Sequence, residues 1–164
     1  MDVIRYCTPE WLSESARLYH ENPKFQQELS KITTKIMFRI TAEPAWGIDP
    51  DIIFGAIMEK GFLHELRFFS VEEAKRIADF IVSATPQGWK KILRKENKFV
   101  TDFMLGKIAL EQGSKVGVLA IAPYANHFVN ALTQFELKFQ DELSPEELEE
   151  FRSYTREFRA RLDI

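Results

Sequence analysis

At residue 34 the apolar residues of this chain change their period. Through 34–41, Ile36, Phe38 and Ile40 alternate with Lys35, Met37 and Arg39, and a repeat of two assigns each set to one face of an extended strand. Two further strand-like runs, 52–59 and 62–69, flank Lys60-Gly61, a two-residue link of the kind that joins antiparallel neighbours. The turn-rich stretch 43–50, with Pro44, Gly47 and Pro50, separates the first strand from this hairpin. Antiparallel pairing of the two runs 52–59 and 62–69 is the consequence.

Helix signals lie on both sides of these strand-like runs. Thr8-Pro9-Glu10 combines an N-cap, a proline at the first helical position and an acid in the first turn, which predicts a helix to about residue 20. Asn22-Pro23 repeats the signal for a second helix to about residue 31, with Phe25, Leu29 and Ile32 at helical spacing. Ser144, Pro145 and Glu147 form a capping box with proline in place, and Leu148, Phe151, Thr155, Phe158 and Leu162 then follow at spacings of three and four. That stripe fits packing on the body of the domain; docking on a second subunit is the alternative, which keeps a homodimer open.

Between these lies the segment richest in punctuation. Ser70-Val71-Glu72-Glu73 starts a helix, and the chain then reads either as a strand over 79–84 or as a continued helix through Val71, Ala74, Ala78 and Ile81. From 86 to 98, Trp89, Ile92 and Leu93 share one helical face while Lys90, Lys91, Arg94, Lys95 and Lys98 crowd the other. Residues 99–105 continue in apolar helical spacing, and Ile108 and Leu110 alternate with Ala109 and Glu111 up to the turn at Gln112-Gly113-Ser114. The stretch 116–139 reads as mostly helix, with Pro123 limiting its first part and 124–139 packing through Phe128, Leu132 and Phe135.

Ala78-Asp79-Phe80-Ile81-Val82, then Trp89 and Ile92-Leu93, then Phe103-Met104-Leu105-Gly106-Lys107-Ile108-Ala109-Leu110-Glu111-Gln112-Gly113 resemble the central part of the sterol carrier protein type 2 family. The likeness extends over about 30–137 and favours the strand over 79–84. It departs in two places: Arg94-Lys95-Glu96-Asn97-Lys98 stands where the family's first Gly-Lys often precedes the apolar helix, and about 30 residues precede the family's core. The resemblance implies a single α+β domain over 1–164, with a twisted, mostly antiparallel five-stranded sheet covered on one face by helices and an apolar tunnel between the layers. The segments 8–31 and 145–162 would then be a helical N-terminal extension and a C-terminal helix.

Composition is consistent with this frame. At 164 residues, 45% hydrophobic and 29% charged, the chain is long enough for one sizeable core and too polar for a membrane span. A net charge of −3 gives no general attraction for nucleic acid. The single cysteine, Cys7, cannot form an intrachain disulfide, and the N-terminal residues, with Asp2, Arg5 and Glu10, offer no apolar run of signal length; the expectation is a cytoplasmic protein. The C-terminal Arg161-Leu162-Asp163-Ile164 is not the Ser-Lys-Leu peroxisomal address of some members of the resembled family.

Catalytic chemistry finds little footing. His20, His64 and His127 lack the spacing that sets two imidazoles on one helical face for a metal. His64 shares its strand face with Phe62, Leu66 and Phe68, which would aim it inward, either as a structural histidine or toward a polar lipid head group. Asp49 and Asp51 flank a proline as turn residues do, and Gly113-Ser114-Lys115-Val116-Gly117 lacks the Gly-Lys-Ser/Thr ending of a phosphate loop. No catalytic residue, metal or cofactor is expected.

The resemblance implies a non-catalytic carrier, holding a fatty-acyl, phospholipid or sterol-like ligand by apolar contact and exchanging it with membranes. Phe54, Met58, Trp89, Leu93, Phe99, Phe103, Met104, Ile108, Leu110, Phe128 and Leu132 are the expected wall residues, and the same side chains would serve equally as ordinary core. Fourteen phenylalanines against four tyrosines suit either role. Lys90, Lys91, Arg94, Lys95 and Lys98 are the expected contacts with an anionic membrane, unless they are only a solvated helix face. Two other functions fit the pattern less well: an acyl-CoA thioesterase with a sheet wrapped on one long helix, and an interaction domain dimerising through the C-terminal helix.

Overall fold

The computed structural model describes residues 3–164. Its main sheet contains β2 (Thr34–Ile40), β3 (Ile52–Glu59), β4 (Phe62–Phe69), β5 (Phe80–Ala84) and β6 (Ala109–Gln112), in the order β4-β3-β2-β5-β6. All neighbours are antiparallel except β2 and β5, so the fold is α+β with a five-stranded, mostly antiparallel sheet. Lys60 and Gly61, at φ 48° and 80°, make the β3–β4 turn, the left-handed pair that a two-residue hairpin matching strand twist requires.

Register assigns the faces. Thr34, Ile36, Phe38 and Ile40 project to the side of the main core, where their partners across the strand pair are Met58, Ala56, Phe54 and Ile52. The opposite face carries Met37, Ile53, Phe69 and Ile81, which bury Ala74 of α3 (Val71–Ile77) as a second, smaller core. Helical cover is thus not confined to one face: one short helix closes the back of the sheet. Gly55 belongs to this packing, because a Cβ there would sit 2.1 Å from the Met37 sulfur.

On the main face lie α1 (Pro9–Glu21), α2 (Pro23–Glu28), α4 (Pro86–Leu93), α5 (Phe99–Met104), α6 (Lys115–Ile121), α7 (Ala125–Ala131) and α8 (Pro145–Leu162). The predicted caps are in place, since Thr8, Asn22, Ser70 and Ser144 each accept a hydrogen bond from an amide of the first helical turn, and Thr85 and Ser114 cap α4 and α6 in the same way. The N-terminal helices are not an appendage. Trp11 is fully buried edge-on against Phe54, and its indole N–H donates to the Leu132 carbonyl at 2.9 Å. The stripe of α8 packs on its own chain, with Phe151 and Phe158 fully buried and Phe158 stacked on Phe68.

Two further expectations need correction. The stretch 116–139 is not one long helix after a proline-limited start; α6 precedes a 3₁₀ turn at Ala122–Tyr124, and α7 ends at Ala131. Thr133 and Gln134 turn back to bond the Val129 and Ala131 carbonyls, and Trp11 occupies that of Leu132, so the helix is closed by side chains. The chain then forms β7 (Glu136–Lys138), which pairs in parallel with β1 (Val3–Arg5) in a separate two-stranded sheet. His64 points outward. The β3–β4 ladder slips between Ile57 and Met58, pairing Ile57 with Glu65 but Met58 with Leu63, so His64 is the extra residue of a bulge. Leu63 goes inward instead, and His64 meets Glu59 at 3.3 Å on the surface.

Candidate functional site

Where the sheet meets its helical layer there is a cavity of about 70 Å³. Thr34, Ile36 and Phe38 of β2 and Met58 of β3 form its floor, while Leu29 and Ile32, beyond the end of α2, close one side. Its roof comes from Phe99 of α5, Ile121 of α6, Ala122 and Tyr124 of the 3₁₀ turn, and Ala125 and Phe128 of α7. None of these side chains is charged, and only Thr34 and Tyr124 bring a polar group. A larger concavity of about 530 Å³ lies at Pro9, Arg67, Glu73 and Arg76, but it is a surface groove whose Arg67 is already paired with Glu65 and Glu73.

Of the expected wall residues, Met58, Phe99 and Phe128 line the cavity. Phe54, Trp89, Leu93, Phe103, Ile108 and Leu132 are buried beside it as core, and Leu110 is half-buried. Phe38 links the two groups: its ring stacks on Phe54 at 4.9 Å and Phe128 at 5.6 Å and meets Trp89 edge-on at 5.7 Å. The Trp89 N–H donates to the Arg39 carbonyl at 2.9 Å, which fixes α4 to β2. Met104 lies elsewhere, 55% exposed on the outer face of α5. The residues missed by sequence reading include Thr34, Ile36 and Phe38, although their alternation with the partner Met58 was the available signal.

The expected membrane cations differ in their partners. Lys90 pairs with Asp141 at 2.9 Å and Arg94 with Glu142 at 2.7 Å, and both lie over the Phe139 ring. Lys91, Lys95 and Lys98 are exposed and have no carboxylate partner among the described residues. Lys98 leads into α5, whose inner face presents Phe99 and Phe103 and whose outer face leaves Val100, Met104 and the following Leu105 in solvent. Lys107 is exposed just beyond them.

The histidines and the cysteine offer no free reactive group at the cavity among the described residues. His127 Nδ1 meets Glu28 at 2.6 Å, joining α7 to α2 beside the lining residues Phe128 and Leu29. His20 packs on Phe62. Burial pushes the Cys7 thiol up to about 12, which keeps it protonated and unreactive.

Sheet, helical layer and cavity together define an α+β fold of the sterol carrier type, and solved structures share it. The chain is similar to a conserved hypothetical protein of Thermus thermophilus described as a possible sterol carrier protein, at 17% identity and a TM-score of 0.69 over 80% of this chain and 90% of that one. It is similar to sterol carrier protein 2 in a crystal structure, at 19% identity and 0.61, covering 76% and 92%. The apo form of sterol carrier protein 2 from Yarrowia lipolytica matches at 14% and 0.51, covering 71% and 88%. No protein-family model and no curated protein sequence matches the chain. At these identities the likeness is one of fold.

Proposed function

We propose that this chain is a non-catalytic lipid carrier of one domain, working in the cytoplasm, which holds a fatty-acyl, phospholipid or sterol-like ligand between its sheet and α5–α7 and exchanges it with membranes. The observation that carries the reading is the charge-free apolar cavity at the layer boundary of a sterol-carrier fold. Apolar contact suffices for affinity, since each buried methylene contributes about 0.8 kcal/mol. The cavity of about 70 Å³ has the bulk volume of roughly two waters, so a whole chain enters by displacing the helical roof. The face for membrane contact is the outer side of α5, where Val100, Met104 and Leu105 are exposed, with the exposed Lys95, Lys98 and Lys107 flanking them in sequence, on the helix that brings Phe99 to the cavity.

Purification without detergent, followed by comparison of native and denatured mass and by organic extraction, tests this. A stoichiometric fatty acid, phospholipid or sterol-like molecule is the expected result. A bare protein that also takes up no fluorescent acyl probe would overturn it.

A further inference from the structure

One polar atom of the cavity wall has no partner. Thr34 is only 4% exposed, and its hydroxyl is buried without any hydrogen bond. A buried hydroxyl left unpaired is costly, and most such groups in folded proteins find a partner. Local structure does not supply one: the neighbouring Thr33 hydroxyl accepts from the Lys60 amide and the Lys35 amide donates to Asp79, so the turn chemistry at this end of β2 is complete without Thr34. Valine would fill the same volume on a β-strand with better propensity and no unpaired group. Thr34 lines the cavity, and a step of about 120° in χ1 moves its oxygen from one staggered position to another beside that space.

We propose that the Thr34 hydroxyl is the specificity-determining contact of the cavity, and that it selects amphipathic ligands whose polar end is a neutral hydroxyl or carbonyl. The inference rests on the carrier reading and adds the chemistry of the ligand's polar group. Neutrality follows from the lining, which contains no cation to compensate a carboxylate taken out of water. An ionised fatty acid therefore keeps its head at the surface and gains nothing from Thr34. A neutral alcohol or ester reaches inward and satisfies the hydroxyl while shedding its own apolar body into the wall.

Displacement of Nile red by dodecanol, dodecanoate and dodecane from the parent protein, Thr34→Val and Thr34→Ser separates the two claims. The parent is expected to prefer dodecanol to dodecane. Thr34→Val, nearly isosteric, is expected to lose roughly five- to tenfold in dodecanol affinity with dodecane and dodecanoate unchanged, and Thr34→Ser to retain most of the preference. If dodecane and dodecanol bind but the valine variant treats both as the parent does, the role of Thr34 is refuted and the carrier reading stands. Tighter binding of dodecanoate than of dodecanol by the parent refutes the selection of neutral head groups. Failure of every ligand and of the dye itself to bind the parent refutes the carrier reading, and this inference with it.

Discussion

Cys7 and its neighbour Tyr6 are buried so completely that their acid–base behaviour reports on folding. The thiol moves from its ordinary 9.0 to about 12 and the Tyr6 phenol well above 10.0, in both cases through loss of water around the ionised form. Tyr19, whose O–H donates to the Gly61 carbonyl at 2.5 Å, is pushed up to about 12 as well. All three values are raised, so the folded chain holds protons that the unfolded chain releases. Their contribution is fully present below about pH 9 and is lost as pH rises toward about 12. Urea midpoints are expected to fall steadily above about pH 9, and thiol reagents to label Cys7 only through unfolding; rapid labelling of the folded protein would contradict the burial. Gly61 makes a second prediction at this scale. It sits at φ 80° with the Gln26 carbonyl 2.4 Å from where a Cβ would stand, so Gly61→Ala is expected to cost roughly 2–4 kcal/mol. Gly106, at φ 79° with open space around it, provides the control: Gly106→Ala should cost only the conformational penalty of about 1–2 kcal/mol, and equal urea midpoints for the two variants would refute the steric argument.

Among the elements, α5 bears most directly on the proposed membrane contact. Its inner face lines the cavity through Phe99, while Val100, Met104 and Leu105 remain in solvent beside lysines that no carboxylate neutralises among the described residues. Exchanging Lys95, Lys98 and Lys107 for glutamine should weaken sedimentation with phosphatidylserine vesicles on the order of fivefold per lysine, and Leu105→Glu should weaken it further. Lys90→Gln should have little effect, because Asp141 already neutralises that ammonium. Equal sedimentation of all variants would exclude α5 as the docking face. The sequence signalled this helix but not its role, because sequence spacing shows a cluster of cations and not which of them find acids 48 or more residues away. Elements with local signals were legible: the caps at Thr8, Ser70 and Ser144 and the turn at Lys60-Gly61 all rest on neighbours within four residues. The β1–β7 pair was not, since three-residue strands separated by most of the chain carry no local repeat beyond the alternation of Phe135, Leu137 and Phe139. The bulge that turns His64 outward was equally invisible, because one unpaired residue changes the face of a strand without changing its composition. For the cavity, the alternation in β2 and β3 held the floor in plain view, whereas the roof required knowing where α6 and α7 begin and end.

Taken whole, the molecule sets a rigid floor beneath a segmented roof. β2 is hydrogen-bonded along its length to β3 and over five residues to β5, and its side chains are locked into the aromatic cluster of Phe38, Phe54 and Trp89. The roof consists of α5, α6 and α7, of six, seven and seven residues; β6 intervenes between α5 and α6, and a 3₁₀ turn joins α6 to α7. Helices of two turns have little stability of their own and depend on what they pack against, so opening is cheapest there. A cavity of about 70 Å³ falls well short of the several hundred Å³ of typical ligand sites, and the volume a lipid needs must come from movement of one layer. Hydrogen exchange should therefore show amides of α6 and α7 exchanging well before those of β2 and β3 in the ligand-free protein, with bound lipid slowing the roof at least tenfold while leaving the sheet unchanged. The Glu28–His127 contact, which joins α7 to α2, belongs to the same boundary, and His127→Ala should speed exchange in α7 without affecting β2. If roof and sheet exchange together, the layers open only with global unfolding, and a chain-length ligand has no route into the space between them.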